Sequence, residues 1–172
     1  RIGKGLLMDE QHPFVRHGDD IVVKRPGGDS LGVLFHEQYA HRIEAVLPGL
    51  RVDLTPARLD PAALFPTPKS DLWLEIGFGG GEHLAHTAAT HPGLGFIGCE
   101  PFVNGIAMLL GKIRAAEVGN LHLHPGDVRD LFDVLPDACL SKVFLNYPDP
   151  WPKARHHRRR FVTQGYLTAL AR

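Results

Sequence analysis

The stretch LEIGFGGGEHL, residues 74–84, places a carboxylate near the end of an apolar run and follows it with a cluster of glycines. Because Gly77 and Gly79 lack Cβ atoms, a ligand can approach the backbone closely there. The dinucleotide fingerprint G-x-G-x-x-G would need its third glycine at Glu82. Glu75 can accept a hydrogen bond from an ammonium group or a water. A cofactor with an ammonium group and no phosphate, such as S-adenosyl-L-methionine, therefore fits better than NAD, although a flexible turn with a solvated Glu75 is the alternative.

Two further acids follow predicted strands. Glu100 ends the run Gly98-Cys99-Glu100, where a carboxylate can accept hydrogen bonds from both ribose hydroxyls of a nucleoside. Its alternative role is that of an acid at a helix N-terminus, where the helix dipole favours it. Asp127 follows Gly126, and a polar group there can contact an adenine edge. Its alternative role is an N-cap for a short helix.

The most specific stretch is NYPDPWPK, residues 146–153. Pro148 and Pro150 flank Asp149 and restrict the backbone on both sides of it, so the loop can hold one carboxylate in a set place. Trp151 offers a face for stacking and Lys153 a contact for phosphate. Such a loop, followed at once by a basic run, suits an enzyme that acts on a nucleic-acid base. The alternative is a rigid turn with Trp151 in the core.

The formal net charge is zero, but the charges are unevenly distributed. Residues 151–172 hold six Lys or Arg and no acid, whereas residues 1–150 have an excess of acids. Most of the basic residues lie in WPKARHHRRR, residues 151–160. A block of this kind attracts phosphate, although a solvated helix start would have the same composition.

Cysteine and histidine spacing argues against a metal site. Cys99 and Cys139 form no C-x-x-C pair, so we expect neither a disulfide framework nor a zinc knuckle, and a reducing cytoplasm is the default location. Neither the pair His83 and His86 nor the pair His122 and His124 has a convincing carboxylate or third ligand nearby, and we interpret all four as ordinary helix or strand positions.

Two further features bear on location. No apolar run approaches the roughly 20 residues that a membrane span requires. The first residues also lack the pattern of a secretory signal. We therefore expect a cytoplasmic protein without a membrane partner. The sequence is compatible with both a monomer and a homodimer.

The elements that must position these residues alternate between strand and helix, which predicts an α/β domain with a parallel sheet. The predicted strands are 72–76, 95–99, 121–124 and 142–146, and the predicted helices are 81–90, 104–118, 131–135 and 159–170. Upstream, residues 1–29 are expected to form a loop or arm with one strand at 21–23, and residues 31–47 a helix capped by Ser30. We divide the chain into an N-terminal arm and helix (1–54), a proline-rich linker (55–70) and a catalytic domain (71–172).

The motifs LEIGFGGG, GCEP, PGD and NYPDPWPKARHHRRR, in this order, resemble those of the bacterial tRNA (guanine-N7)-methyltransferases over about residues 47–172. The resemblance implies a Rossmann-like class I fold that depends on S-adenosylmethionine. It further implies methyl transfer to N7 of a guanosine in the variable loop of tRNA. Two alternatives are a methyltransferase of the same fold that acts on another RNA base or a small molecule, and a non-catalytic RNA-binding subunit.

By resemblance, particular residues acquire roles. Glu75, Glu100, Asp127 and Asp149 match positions that bind S-adenosylmethionine, with Asp149 also the catalytic residue, and Gly77 and Gly79 form the loop beside them. The substrate positions are Lys153 and the tRNA-contacting segment Arg155, His156, His157, Arg158, Arg159 and Arg160. The family's Gly-Arg-Arg-like arm has no convincing match in residues 1–46, and its later strands and Thr-Asp motif have no counterpart in this sequence.

Overall fold

The computed structural model describes residues 14–17, 20–24, 30–31, 37–55 and 58–172. The strands are β1 (Phe14–His17), β2 (Asp20–Lys24), β3 (Ser30–Leu31), β4 (Leu72–Ile76), β5 (Gly95–Cys99), β6 (Leu121–His124) and β7 (Lys142–Leu145). The α-helices are α1 (Glu37–Val46), α2 (Glu82–Thr90), α3 (Val103–Ala115), α4 (Arg129–Phe132) and α5 (Gln164–Ala171). Short 3₁₀ helices span Leu47–Gly49, Pro61–Leu64 and Ala154–Arg159.

The central sheet has the order β6-β5-β4-β7, and all of its pairs are parallel. From β4 the chain moves outward through β5 to β6, and then returns to β7 on the other side of β4. The strand order therefore reverses between β4 and β7. In open α/β sheets, ligands bind beyond the carboxyl ends of the strands at such a reversal. The four predicted strands are confirmed, as is the Rossmann-like α/β fold class.

Apolar side chains cover both faces of this sheet. One cluster joins Phe96, Leu121 and Leu123 of the sheet to buried residues of α1, α2 and α3. The other joins Leu72, Leu74 and Ile97 to α4 and to the proline-rich segment, where Leu59 and Phe65 are buried. The central strands β4 and β5 are buried on both faces and are near-continuous apolar runs, as is typical of parallel sheets.

Upstream of residue 47, the structure differs from the sequence prediction. β1, β2 and β3 form an antiparallel sheet, where a loop with one strand was expected, and the predicted strand at 21–23 lies within β2. Ser30 pairs with Lys24 in that sheet, so it does not cap a helix, and α1 spans Glu37–Val46 among the described residues. Backbone pairing with Val23 of β2 places Leu31, the first apolar residue of the predicted helix, in this sheet. Residues 1–13 of the predicted arm and 32–36 of the predicted helix lie outside the described residues.

The last predicted helix was also placed wrongly. The basic run forms the 3₁₀ helix Ala154–Arg159, and α5 begins at Gln164 after an extended Thr163. The guanidinium of Arg160 donates to the carbonyls of Pro150 and Trp151, and its own backbone is extended (φ −63°, ψ 133°). These bonds tie the end of the basic run back to the preceding loop, so a continuous helix does not form. Among the described residues, no helix is both long and apolar enough to cross a membrane.

Candidate cofactor and nucleic-acid site

The glycine loop joins β4 to α2 at the reversal point. Gly77, Gly79 and Gly81 all have positive φ, at 68°, 56° and 75°, a conformation that residues with a Cβ adopt at a cost. The space where a Cβ would stand is open at Gly77 and at Gly79. The amide of Gly77 donates to the carbonyl of Cys99 at 2.8 Å, which holds the loop against the end of β5. The loop thus has a fixed shape and leaves room for a ligand beside its backbone.

Glu75 is the acid at the base of this loop, and its side chain is only 4% exposed. Its Oε2 lies 2.7 Å from Nδ1 of His83 in the first turn of α2. Its Oε1 accepts a hydrogen bond from Nδ2 of Asn146 at 3.4 Å. The buried carboxylate therefore bridges α2 and the end of β7, on the two sides of the reversal.

Glu100 lies at the end of the neighbouring strand and is also buried. Its Oε2 accepts from the amide of Gly79 and its Oε1 from the amide of Phe102, both at 2.8 Å. Burial raises the pKa of Glu100, and these two amides offset part of that increase because they stabilise the ionised form. The carboxylate connects the glycine loop to the start of α3, and each oxygen has lone pairs left for a ligand.

Asp127 is half-buried after β6, and Arg129 is its main partner. The Arg129 guanidinium contacts both carboxylate oxygens, and the Arg129 amide donates to Oδ1 at 3.0 Å. Hydrogen bonding to this guanidinium holds the pKa of Asp127 below its ordinary value. Arg129 also donates to the Tyr166 hydroxyl at 3.3 Å, so this acid is linked to α5. The N-cap of α4 is Val128 and not Asp127, so the capping alternative was wrong, and the bond from the Arg129 amide closes a local turn one residue earlier.

The histidine pairs have partners that the sequence did not predict. His83 contacts Glu75, and buried His124 contacts Asp130, with Nε2 to Oδ2 at 3.1 Å. The view that both pairs lack a nearby carboxylate was therefore wrong, because the fold brings an acid to one member of each. Even so, no group of three or more metal-ligating side chains occurs in the described part of the chain.

The Asp149 loop follows β7 and is largely solvent-exposed. Tyr147 is fully exposed, and both Tyr147 and Trp151 have positive φ, at 52° and 38°. Trp151 is half-buried, lies outside the two core clusters and packs edge-on against His156, with ring centroids 5.5 Å apart. Asp149 is exposed, and no hydrogen bond or ion pair joins it to another described residue. Its carboxylate is accessible to a substrate from solvent.

The basic segment lies directly beyond this loop. Lys153, Arg155, His157 and Arg158 are exposed, and His156 is half-buried against Trp151. Arg159 belongs to the 3₁₀ helix by its backbone. Arg160 differs from the others because its guanidinium is bound to the loop carbonyls at 2.9 and 3.2 Å.

The structure brings together part of the predicted site. Glu75, Gly77, Gly79 and Glu100 form one hydrogen-bonded unit at adjacent strand ends. Asp127 lies one strand further along and is held by Arg129. Asp149 is linked to this hydrogen-bonded unit only through the loop backbone from Asn146, whose side chain donates to Glu75.

Sequence reasoning missed three partners of two acids. His83 and Asn146 contact Glu75, and Arg129 contacts Asp127. Only Arg129 could have been found, since an arginine two residues after an aspartate can close a local ion pair. The other two partners come from elements that meet only in the folded sheet.

A parallel sheet of this order, with a glycine loop and buried acids at the carboxyl ends of adjacent strands, is the arrangement of a Rossmann-like α/β fold. The family described as "Putative methyltransferase" matches residues 69–172, and the chain belongs to this family. The match includes every predicted site residue.

Several relatives carry a more specific name. A protein named tRNA (guanine-N(7)-)-methyltransferase from Cereibacter sphaeroides is 75% identical to this chain over 114 residues. One of the same name from Paracoccus denitrificans is 63% identical over 126 residues. These alignments cover 66% and 72% of this chain, and 46% and 54% of the relatives. A relative of the same name from Rhizobium meliloti is 49% identical over 146 residues, or 84% of this chain and 63% of the relative. The chain thus spans about half the length of the curated relatives it matches.

Proposed function

We propose that this protein transfers a methyl group from S-adenosyl-L-methionine to N7 of a guanosine in tRNA. The observation that carries the proposal is the position of the glycine loop. It lies between buried Glu75 and Glu100, and Glu75 is bonded to Asn146, which opens the Asp149 loop. The exposed basic segment follows that loop directly. The names of the relatives support the same activity.

The chemistry of the loop fits this cofactor. Glu75 and the open backbone at Gly77 and Gly79 suit a cationic amino-acid portion, because the acid is buried and no Cβ obstructs the approach. Glu100 suits a ribose, since a carboxylate can accept from two hydroxyls. Asp127 suits the adenine base of the cofactor. The adenine would share the Asp127 carboxylate with Arg129 or replace Arg129 there. When bound, S-adenosylmethionine supplies an activated methyl group.

The remaining chemistry requires little from the protein beyond alignment. N7 of guanine carries a lone pair at neutral pH, so no proton has to be removed before attack and no strong general base is needed. The restricted Asp149 loop would hold the base in line, which lowers the entropic part of the barrier. The methylated base is cationic, and the Asp149 carboxylate would stabilise that charge as it develops.

The basic segment supplies the affinity for tRNA in this proposal. Lys153, Arg155 and Arg158 are exposed and adjacent to the loop, so they can contact backbone phosphates while Asp149 faces the base. Arg160 would act on the loop itself, because its guanidinium is bound to Pro150 and Trp151. A cytoplasmic location, where tRNA is modified, and a monomeric or homodimeric state belong to the same proposal.

One assay tests substrate and atom together. The purified chain is incubated with unmodified tRNA and methyl-labelled S-adenosylmethionine, and the tRNA is then digested to nucleosides. We expect label in 7-methylguanosine. Label in another nucleoside would favour the alternative of a different RNA-base methyltransferase, and tRNA binding without cofactor binding would favour a non-catalytic RNA-binding subunit.

A further inference from the structure

His83 has an unusual set of contacts for a residue on a helix surface. Its Nδ1 lies 2.7 Å from Oε2 of Glu75, while its side chain is 45% exposed to solvent. An ionised carboxylate can only accept hydrogen bonds, so the proton of this bond is on Nδ1. The exposed ring therefore donates to a buried acid at the base of the glycine loop.

Two further contacts fix the orientation of the imidazole. Its Nε2 lies 3.5 Å from Oγ1 of Thr87, one turn further along α2. Its ring packs edge-on against Phe144 of β7, with centroids 4.8 Å apart. The ring is thus held from both sides of the reversal point in the strand order.

Glu75 passes this orientation on to the other side of the site. Its Oε1 accepts from Asn146, which directly follows β7 and precedes the Asp149 loop. A hydrogen-bonded series therefore runs from His83 through Glu75 to Asn146. It joins the helix after the glycine loop to the loop that carries the proposed catalytic acid.

We propose that His83 is a positioning residue that holds the carboxylate of Glu75 in the orientation that binds the cofactor. This inference rests on the proposed function, because it assigns Glu75 to cofactor binding. Without the imidazole, one oxygen of a buried carboxylate loses its donor, and the carboxylate can rotate away from the glycine loop. His83 would then affect cofactor affinity and leave tRNA affinity unchanged, since the basic segment is on a different element.

The test compares three single variants of the chain with the wild type by calorimetric titration with S-adenosylhomocysteine. His83→Leu removes the donor, and His83→Asn keeps an N–H close to the position of Nδ1. His86→Leu is the matched control, because His86 is an exposed histidine on the same helix. A second titration measures the Kd of each variant for tRNA, and thermal unfolding followed by circular dichroism checks that each one folds.

We expect His83→Leu to weaken cofactor binding about tenfold or more, as for loss of a hydrogen bond to a charged group. His83→Asn should recover most of this affinity, His86→Leu should match the wild type, and all variants should bind tRNA equally. Wild-type cofactor affinity in a folded His83→Leu, or equal losses in the Leu and Asn variants, would overturn the positioning role. If the wild type itself bound no cofactor, the proposed function would fail, and the role of His83 with it.

Discussion

Gly105 of α3 packs directly against the carbonyl of Gly79. A Cβ on Gly105 would lie 2.2 Å from that carbonyl oxygen, which is well inside van der Waals contact. The same oxygen belongs to the loop residue whose amide donates to Glu100. The absence of a side chain at Gly105 therefore allows the helix to approach the loop closely enough for Glu100 to hold it.

The substitution Gly105→Ala should consequently damage the cofactor site. We expect it to lower the free energy of unfolding by about 1–3 kcal/mol, as for overpacking in a tight contact, and to weaken cofactor binding. Gly111→Ala in the same helix is the control. Its Cβ would lie closest to the guanidinium of Arg42, at 2.8 Å, and a flexible side chain can move away. Urea unfolding and calorimetric titration measure both effects, and equal behaviour of the two variants would contradict the close-approach role.

A second prediction concerns the pH dependence of the contact between Asp127 and Arg129. Because Arg129 lowers the pKa of Asp127 in the folded state, the contact stabilises the protein at pH values above the ordinary aspartate pKa of about 4. That contribution is lost as the pH falls through the lowered folded value. Both side chains are more than a third exposed, so the effect should stay below about 1 kcal/mol.

The measurement is urea unfolding of wild type and Arg129→Ala at a series of pH values. The difference in the free energy of unfolding should be constant near neutrality and should shrink below about pH 4. Arg114→Ala, which removes an exposed arginine from the last turn of α3, is the control. A difference that persisted undiminished in acid would show that Arg129 contributes through packing and not through the carboxylate.

The sequence predicted the central sheet well because β4, β5 and β7 are largely apolar runs, and because Pro125 marks the end of β6. It also placed Glu75 and Glu100 in the site, since the carboxyl ends of parallel strands meet at one edge. The N-terminal sheet was missed because β3 has only two residues, and because β1 has only two apolar residues, followed by an arginine and a histidine. The contact of His83 with Glu75 was missed as well, because it depends on how sharply the glycine loop turns α2 back over β4.

A third prediction separates two roles within the basic segment. Arg155→Gln and Arg158→Gln should each weaken tRNA binding and reduce the slope of log K against log salt by about one, since fewer counterions are released. Arg160→Gln should instead reduce turnover more than affinity, because Arg160 holds the carbonyls of Pro150 and Trp151. Filter binding at several salt concentrations and steady-state kinetics distinguish the two patterns. An unchanged salt slope for Arg155 and Arg158 would exclude phosphate contacts at these positions.

The last prediction concerns Asp149, whose exposed carboxylate has no partner among the described residues. Such an acid contributes little to folding, so Asp149→Asn should leave the unfolding temperature and tRNA binding close to wild type. The amide keeps the shape of the side chain but loses the negative charge that would stabilise the cationic methylated base. We therefore expect turnover to fall about 100-fold or more, as for removal of a group that stabilises charge in the transition state.

Asp133→Asn is the matched control for this variant, because it removes an exposed acid at the end of α4, away from the loop. Single-turnover methylation with saturating tRNA isolates the chemical step from binding. A normal single-turnover rate in Asp149→Asn would mean that the loop acts by shape alone. A rate lost together with tRNA affinity would instead place Asp149 in substrate binding, because a charge needed only in the transition state changes the rate and leaves affinity intact.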